Sequence, residues 1–439
     1  MANPLVSIWR DLKFGVRLVG ALRLFADLKP DAPDTIADDL ERIVDAHTKK
    51  VAFVFEGETV TYGGYEAQAN RVAHWAKGQG FKAGDTIALN LENCPDFAAI
   101  WFGLSKIGVA AALINTNLEA DGLSHCISIV DAKAVISGGE QSARTRKALA
   151  AADLELPIWD LDADHGLDFY HALKSESSLR PDPATRAHLK SKNIALYIYT
   201  SGTTGLPKAA KITHMKLRGT ARTAQALVKI KADDRIYNTL PLYHITGGGL
   251  GLVGPLSVGA SVILRRKFSA SQFWDDVCEN QASLFVYIGE LCRYLISAPK
   301  HERETQHSLR AGYGNGLRGE VWRPFVDRFQ MPTMRELYGS TEGNVSFLNL
   351  DGTIGAIGQM PPWMGTKIGM ELVRFDVIEE RPIRGADRFC IRAGINEPGE
   401  AIGRISDTGR QDFSGYHDPK ATEAKILSDV IEAGDRWYR

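Results

Sequence analysis

The feature that most constrains the fold is the regular alternation of short apolar runs with amphipathic helical patterns. Runs typical of buried strands lie at residues 51–55, 85–91, 109–114, 194–200, 235–240, 260–266, 283–288 and 334–338. Helical patterns follow several of them, most clearly from Tyr65 to Lys77 and from Pro95 to about Lys106. Strands that alternate with helices in this way form parallel sheets covered by helices. The sequence therefore predicts an α/β fold with a large core of helix-covered, mostly parallel sheets.

A change of pattern near residue 355 suggests a domain boundary. Beyond it the helical pattern fades, and Pro, Gly and short β-type runs such as MELVRFDVIE take over. We expect an N-terminal segment over residues 1–40, the α/β core over residues 41–355 and a smaller β-rich subdomain over residues 356–439. A Pro- and Asp-bearing stretch at residues 181–187 fits either a linker or a long loop.

Composition excludes several classes of protein. Lys and Arg number 52 against 53 Asp and Glu, which gives a formal net charge of -1 and no global basic field. We therefore expect no nucleic-acid partner. The five cysteines form no CxxC pair, which disfavours a zinc ribbon or a redox pair. An odd number of widely spaced cysteines in a large chain fits unpaired thiols in a reducing compartment, so we expect a cytoplasmic location.

The first 30 residues interleave basic side chains with aromatic and aliphatic ones. The apolar members include Trp9, Phe14, Leu18, Leu22 and Phe25, and the basic members are Arg10, Lys13, Arg17 and Arg23. No run approaches the roughly 20 apolar residues of a membrane-spanning helix. The pattern predicts either a basic helix lying peripherally at the inner face of a membrane, with lipid as a partner, or an ordinary helix packed on the body of the protein.

The segment YTSGTTGLPK, residues 199–208, is the most informative for function. It follows a buried strand and combines glycines, hydroxyl side chains and a terminal lysine. Glycines let backbone N–H groups approach an anion, hydroxyls donate further hydrogen bonds, and a lysine supplies a mobile positive charge. The spacing differs from GxxxxGK[ST], which disfavours an ordinary P-loop ATPase. We interpret this segment as a phosphate-binding loop rather than a plain surface loop.

Two further segments carry polar groups suited to a ligand site. YGSTEG, residues 338–343, follows a strand and offers a tyrosine that could stack on a base and a carboxylate that could hold Mg²⁺. PLYH, residues 241–244, leads into the run ITGGGLGLVGPLSVGA, which formally matches GxGxxG at Gly249, Gly251 and Gly254. The context is poor for a dinucleotide site, because PLYHITGG separates the strand from the glycines. We interpret residues 245–258 as a small-residue helix that leaves room for a slim apolar ligand.

Together and in this order, the three segments resemble the AMP-forming acyl-adenylating superfamily. YTSGTTGLPK resembles its phosphate loop, PLYH its segment beside the carboxylate site, and YGSTEG its adenine and magnesium segment. Further runs are similar to the very-long-chain acyl-CoA synthetase and fatty acid transport protein branch: RKFSASQFWDD at 266–276, YIGELCRYL at 287–295 and GNGLR at 314–318. The similarity extends from about residue 40 to the end of the chain.

The resemblance implies a large adenylate-forming core and a two-step reaction that uses ATP, Mg²⁺ and CoA. A fatty acid carboxylate attacks the α-phosphate of ATP to give acyl-AMP and pyrophosphate, and the thiol of CoA then attacks the acyl carbonyl. The two steps need charge neutralisation and positioning more than covalent chemistry from the protein.

The resemblance also implies roles for individual residues. The residues that would act in catalysis are Thr200, Lys208, His244 and Glu342. The phosphates would be held by the loop residues Tyr199, Thr200, Ser201, Gly202, Thr203, Thr204, Gly205 and Lys208. Mg²⁺ would be coordinated by Thr200 and Glu342, and His244 would lie beside the carboxylate. The adenine and α-phosphate would contact Gly314, Asn315, Gly316, Tyr338, Gly339, Ser340, Thr341 and Glu342.

The sequence departs from the family pattern at its end. The chain stops at Arg439, whereas the family continues with Thr-Gly-Asp, a hinge and a small mobile domain that carries a lysine used in adenylation. We therefore expect the C-terminal small domain to be absent, and this chain to bind nucleotide weakly without full turnover. Two alternatives stay open: a CoA ligase for another acid, such as a bile, carnitine-like or aromatic acid, and a non-catalytic ATP- or acyl-binding module in lipid uptake. The sequence also leaves an oligomer open.

Overall fold

A computed structural model describes residues 4–201, 205–360, 368–406 and 413–439, with side chains from residue 14 onward. The strands in these ranges are β1 Val51–Phe55, β2 Glu58–Thr61, β3 Thr86–Asn90, β4 Ala110–Leu113, β5 Ala134–Ser137, β6 Ile158–Asp160, β7 Leu167–Asp168, β8 Ile194–Thr200, β9 Lys208–Thr213, β10 Arg235–Asn238, β11 Ser261–Leu264, β12 Leu284–Ile288, β13 Ala311–Asn315, β14 Met334–Gly339, β15 Ser346–Leu348, β16 Met370–Asp376, β17 Arg381–Pro382, β18 Gly399–Arg404, β19 Ile426–Ser428 and β20 Arg436–Tyr438.

The helices of the same ranges are α1 Pro4–Leu24, α2 Ile36–His47, α3 Tyr62–Gly78, α4 Pro95–Lys106, α5 Ala120–Ser128, α6 Glu140–Ala151, α7 Phe169–Lys174, α8 His214–Val228, α9 Gly254–Leu256, α10 Phe273–Glu279, α11 Gly289–Ser297, α12 Gly319–Phe329 and α13 Pro419–Glu423. A 3₁₀ helix spans Pro183–Thr185, and a π-helix spans Ile245–Val253. None of the helices in the described residues combines the length and the apolar character needed to cross a membrane.

The strands form two large sheets that are mostly parallel. One has seven strands in the order β7-β6-β5-β3-β4-β8-β9, and only the edge strand β9 is antiparallel to its neighbour. The other has eight strands in the order β15-β14-β13-β12-β10-β11-β1-β2, with antiparallel strands β15 and β2 at its two edges. All five residues of β3 are buried, as expected for a strand covered by helices on both faces.

A shared hydrophobic core connects the two large sheets. Its members include Trp75 of α3 and Trp101 of α4, together with Leu89 of the seven-stranded sheet and Leu264 of the eight-stranded sheet. Helix α4 begins with Pro95 at its first turn, where proline is favoured because its missing N–H has no helical partner anyway. The predicted helix from Pro95 to about Lys106 therefore has the observed bounds.

The remaining strands form a five-stranded antiparallel sheet in the order β17-β16-β18-β20-β19. Its small core contains Val373, Ile402 and Trp437. This architecture confirms the predicted fold class, with helix-covered parallel sheets and a smaller β-rich part. The domain boundaries placed near residues 40 and 355 stay predictions.

The stretch at residues 181–187 is a loop inside one structural unit. Strand β8 follows this stretch and joins the same sheet as β3 to β7, so the chain has not left the sheet. Arg186 in the loop forms ion pairs with Asp38 and Glu41. Glu41 also accepts a hydrogen bond from the buried Lys106 at 2.5 Å. These contacts fix the loop to α2 and α4, so the linker interpretation is wrong.

Candidate active site

The predicted phosphate loop connects β8 and β9, the last two strands of the seven-stranded sheet. Thr200 and Lys208, at the two ends of this loop, are paired directly in the strand register. Gly205 has a φ of +90°, a left-handed conformation that glycine adopts without steric cost. Ser201 is exposed, whereas Gly202, Thr203 and Thr204 lie outside the described residues. The strand pairing thus brings a hydroxyl and an amino group to the same point of the sheet edge.

A buried cluster surrounds the Thr200 hydroxyl. Among the described residues, no hydrogen bond of normal geometry reaches Thr200 Oγ1, although the atom is buried. The Tyr416 side chain lies beside it, and burial together with the Glu342 carboxylate raises the pKa of Tyr416. The Nζ atom of Lys208 lies 5.7 Å from the centre of the Tyr416 ring. A buried hydroxyl without a well-formed hydrogen bond keeps the capacity to bind a ligand atom.

Glu342 is held by β20 of the five-stranded sheet. The carboxylate is buried, and Tyr438 of β20 donates a hydrogen bond of 3.0 Å to it. The Tyr438 hydroxyl also lies 2.8 Å from the Ser340 hydroxyl. Burial, followed by the Glu342 charge, raises the pKa of Tyr438, so this hydroxyl stays protonated and remains a donor. Tyr416 and Tyr438 could not be predicted from the sequence, because nothing local marks a tyrosine that reaches a site from a distant part of the chain.

The Gly314, Asn315 and Gly316 turn at the end of β13 is organised by a second buried carboxylate, Glu336 of β14. Glu336 accepts hydrogen bonds from the backbone N–H groups of Gly316 and Leu317 and from the Tyr287 hydroxyl. Burial raises the pKa of Glu336 to about 7, although the hydrogen bonds oppose this shift.

Glycine at position 314 is required by close packing, since a Cβ there would lie 1.9 Å from the Tyr287 carbonyl oxygen. Glu336 could not be predicted from the sequence, because it lies inside a strand and carries no motif signal.

The predicted adenine and α-phosphate residues lie at the end of the neighbouring strand β14 and directly after it. Tyr338 is 46% exposed, and its ring centre lies 6.1 Å from that of Phe347. Tyr338, Gly339, Ser340 and Thr341 border a cavity that Asn315 also lines. An exposed aromatic ring at a cavity wall has a free face on which a base can stack. Lys216 of α8, which the sequence analysis missed, also borders the cavity and donates to the Gly343 carbonyl at 2.7 Å.

Tyr199 does not contribute its side chain to this surface. Its ring is buried in a separate core cluster with Cys126, and its hydroxyl donates to the Cys126 carbonyl oxygen. Only the backbone of Tyr199 is therefore near the loop that was predicted to bind phosphate.

His244 precedes the π-helix and borders the same cavity. Desolvation by the surrounding protein lowers the pKa of His244 below its usual 6.5, so the imidazole is neutral at neutral pH. Thr246, two residues further on, donates a hydrogen bond of 3.0 Å to the Asn315 side chain. This bond connects the π-helix to the turn at Gly314, Asn315 and Gly316.

The glycines of the π-helix do not leave the open space that the sequence predicted. A Cβ at Gly247 would lie 2.2 Å from the Pro241 carbonyl oxygen, and one at Gly251 would lie 2.7 Å from Asn238 and Val286 atoms. These glycines allow close packing against the neighbouring backbone and side chains. The cavity is instead bordered by the larger members of the run, Ile245, Thr246 and Leu250.

The cavity has a volume of about 490 Å³ and joins polar and apolar regions. Its polar end is formed by Asn315, Ser340, Thr341 and Ser414. Thr200, Lys208 and Glu342 do not border it directly. They form the neighbouring cluster. Thr341 and Gly343, the chain neighbours of Glu342, line the cavity, as does Ser414, two residues before Tyr416. The Tyr438 hydroxyl also contacts Ser340, which lines the cavity. The apolar region lies against α8, the π-helix and α1.

A glycine- and hydroxyl-rich loop between β8 and β9, together with an aromatic and carboxylate segment at the end of β14 in the other large sheet, is typical of the adenylate-forming class of nucleotide-binding proteins. The model of the family described as AMP-binding enzyme matches residues 40–374. The chain belongs to this family.

Known proteins extend this assignment. The chain is 37% identical over 435 residues to long-chain fatty acid transport protein 6 of Homo sapiens, with 97% of this chain and 70% of that protein covered. It is 39% identical over 397 residues to the Mus musculus protein of the same name, with 89% and 63% covered. The chain therefore spans about two thirds of the length of these relatives.

Among solved structures, the N-terminal domain of FACL13 from Mycobacterium tuberculosis has the same fold. The TM-score is 0.73 at 20% identity, and the match covers 92% of this chain and 95% of that one. The resemblance to the acyl-adenylating superfamily and its fatty acid transport protein branch is confirmed.

Proposed function

We propose that this chain carries the nucleotide- and acid-binding part of an AMP-forming acyl-CoA synthetase that acts on long-chain or very-long-chain fatty acids. The observation that carries the proposal is a cavity of about 490 Å³, whose lining combines hydroxyl and amide groups with aliphatic and aromatic side chains. An acyl-adenylate has the same division into a polar nucleotide and an apolar chain. The names of the relatives, which are fatty acid transport proteins, support a fatty acid as the substrate.

The nucleotide would occupy the polar end of the cavity and the adjoining cluster. Tyr338 would stack on the adenine beside the Gly314, Asn315 and Gly316 turn, and Thr341 would contact the α-phosphate. The loop from Thr200 to Lys208 would hold the β- and γ-phosphates. The exposed face of Tyr338 and the register pairing of Thr200 with Lys208 support this arrangement.

The donor set of Thr200 and Glu342 fits a magnesium ion. Mg²⁺ prefers oxygen ligands and is held by one or two protein groups together with substrate phosphates. Thr200 Oγ1 is a buried oxygen beside the Tyr416 side chain, and Glu342 is a buried carboxylate beside the same tyrosine. A bound Mg²⁺ would neutralise charge that develops on the phosphates.

The acid would enter with its carboxylate toward His244 and its chain along the apolar walls. A carboxylate oxygen forms a bond to the α-phosphorus, and the bond from that phosphorus to the bridging oxygen of pyrophosphate breaks. The sulfur of CoA then bonds to the acyl carbon, AMP leaves, and the thiol proton passes to solvent. The neutral imidazole of His244 would orient the carboxylate by a hydrogen bond without forming a tight ion pair.

Acid-dependent exchange of labelled pyrophosphate into ATP, measured with the full-length protein, tests the function. We expect exchange to require an added acid and to increase from short to long unbranched fatty acids, because each buried CH₂ contributes about 0.8 kcal/mol. A preference for bile, carnitine-like or aromatic acids would replace the proposed substrate class. Binding of ATP and of fatty acid without any exchange would favour a non-catalytic binding module instead.

We also propose peripheral contact with an anionic membrane surface through the outer face of α1. Val16 and Val19 are 69% and 50% exposed, and Arg17 and Arg23 on the same helix are exposed as well. An apolar face beside basic side chains binds anionic interfaces. Sedimentation with phosphatidylserine vesicles should decrease with added salt and after deletion of residues 1–28. Equal sedimentation with purely zwitterionic vesicles would contradict the charge component.

A further inference from the structure

Part of the apolar lining of the cavity comes from a helix that lies outside the family match. The match begins at residue 40, whereas α1 ends at Leu24 and a short turn follows it. The residues of this segment that border the cavity are Phe14, Leu18, Ala21, Leu22, Phe25 and Leu28. Their spacing of three or four places them on one side of a helix. The N-terminal segment therefore presents a continuous aliphatic and aromatic stripe to the cavity.

The two sides of α1 have different contacts. Phe14, Ala21 and Leu28 are buried, and Phe14 and Ala21 belong to the core cluster that contains Leu250 of the π-helix. Val16 and Val19 are exposed and do not border the cavity. The same helix therefore offers an inner face on the cavity and an outer face away from it.

Defined contacts hold this segment over the cavity. Arg222 of α8 donates to the Leu24 carbonyl oxygen at 2.7 Å and forms an ion pair with Asp27. Arg17 donates to the Leu350 carbonyl oxygen beyond β15. These bonds attach the segment to α8 and to Leu350, which follows β15, the strand paired with the Tyr338 strand β14. The position of the segment relative to Tyr338 is therefore fixed.

From this geometry we infer that the inner face of α1 and its following turn forms a specificity-determining wall, which sets the longest acyl chain that the protein accepts. The inference rests on the proposed acid activation. The polar groups of the cavity would receive the nucleotide and carboxylate, while this additional helix would bound the far part of the chain. A bulkier side chain on the wall shortens the space, and a smaller one lengthens it.

Ala21→Phe and Val19→Phe form a matched pair on the two faces of α1. The ligands are stable acyl-adenylate mimics, the acyl sulfamates of adenosine, in a series from acetyl to stearoyl, with affinity measured by calorimetry. Ala21→Phe should leave acetyl binding unchanged and weaken stearoyl binding by about fourfold for each methylene displaced, which corresponds to about 0.8 kcal/mol per CH₂. Val19→Phe should leave the whole series unchanged.

Leu18→Ala provides a test in the opposite direction, which also covers the case in which Ala21→Phe does not fold. Leu18→Ala should shift the acyl length that binds most tightly toward longer chains. Equal loss at every chain length for Ala21→Phe, or an unchanged maximum for Leu18→Ala, would overturn the inference. If the unmodified protein shows no dependence on chain length, the proposed function and the wall both fail; a dependence that neither variant changes refutes the wall alone.

Discussion

At the scale of single residues, the sequence revealed only those site residues whose signal lies within one short segment. Thr200, Lys208 and Tyr338 lie at strand ends and Glu342 lies in the loop after β14, where local spacing is enough to mark a ligand site. Glu336, Tyr416 and Tyr438 could not be found in this way, because their partners lie on other elements. A buried hydrogen bond between distant strands leaves no periodic pattern in the sequence.

Lys208→Ala should weaken the binding of ATP far more than the binding of adenosine. A hydrogen bond to a charged group contributes about 1.5–3 kcal/mol, so we expect roughly a 10- to 100-fold loss for ATP. Calorimetric titration of the two ligands measures the difference. Lys211→Ala on the same strand is the matched control and should leave both affinities unchanged. A similar loss for adenosine and ATP would remove the phosphate role of Lys208.

Glu336→Gln should make stability less dependent on pH. Burial raises the pKa of Glu336 to about 7 from an ordinary value of 4.5. Between these values the unfolded chain loses the proton while the folded chain keeps it, so stability falls as the pH rises from about 4.5 to about 7. Glutamine has no proton to release and removes this fall.

Urea midpoints measured across that pH range test the prediction for Glu336. Glu320→Gln is the control, because Glu320 is an exposed residue of α12 and the substitution makes the same change in charge. The decrease in stability with pH should persist in the control. An equally steep decrease in Glu336→Gln would show that this carboxyl is not the group responsible.

At the scale of elements, a helix boundary could be predicted where a residue with special backbone geometry, such as proline, marks it. Pro95 marks the first turn of α4, and the following residues continue as one apolar run to Lys106. The glycine-rich run gave a correct expectation of a helix but a wrong expectation about space. Glycine is compatible with both an open gap and a close approach of another segment, and only the tertiary neighbours, such as Pro241 for Gly247 and Val286 for Gly251, decide between them.

Gly247→Ala should destabilise the protein measurably. A Cβ at this position would lie 2.2 Å from the Pro241 carbonyl oxygen, so the π-helix or the preceding loop must shift. Overpacking of this kind costs about 1–3 kcal/mol. Gly15→Ala in α1 is the control, because nothing lies within 4 Å of its added Cβ, and alanine favours a helix. A melting temperature that is unchanged in Gly247→Ala would contradict the close packing.

At the scale of the whole molecule, the two large sheets followed from the alternation of strands and helices. The way in which α1 closes the cavity did not follow, because the basic and apolar pattern of residues 1–30 fits both a membrane helix and a packed one. The structure shows that the second interpretation holds for the inner face, since Phe14 and Ala21 are in the core. The exposed outer face leaves the first interpretation as a proposal.

The central claim is that the nucleotide and the acyl chain share one cavity of about 490 Å³. The most direct measurement is the affinity of the unmodified chain for adenosine acyl sulfamates as the acyl group grows from acetyl to stearoyl. The affinity should rise by about fourfold for each added CH₂ until the apolar region is filled, in line with about 0.8 kcal/mol per buried CH₂. Free AMP should compete with every member of the series, and the dissociation constant of AMP obtained from the competition should be the same for each. An affinity that does not change with chain length would contradict the shared cavity.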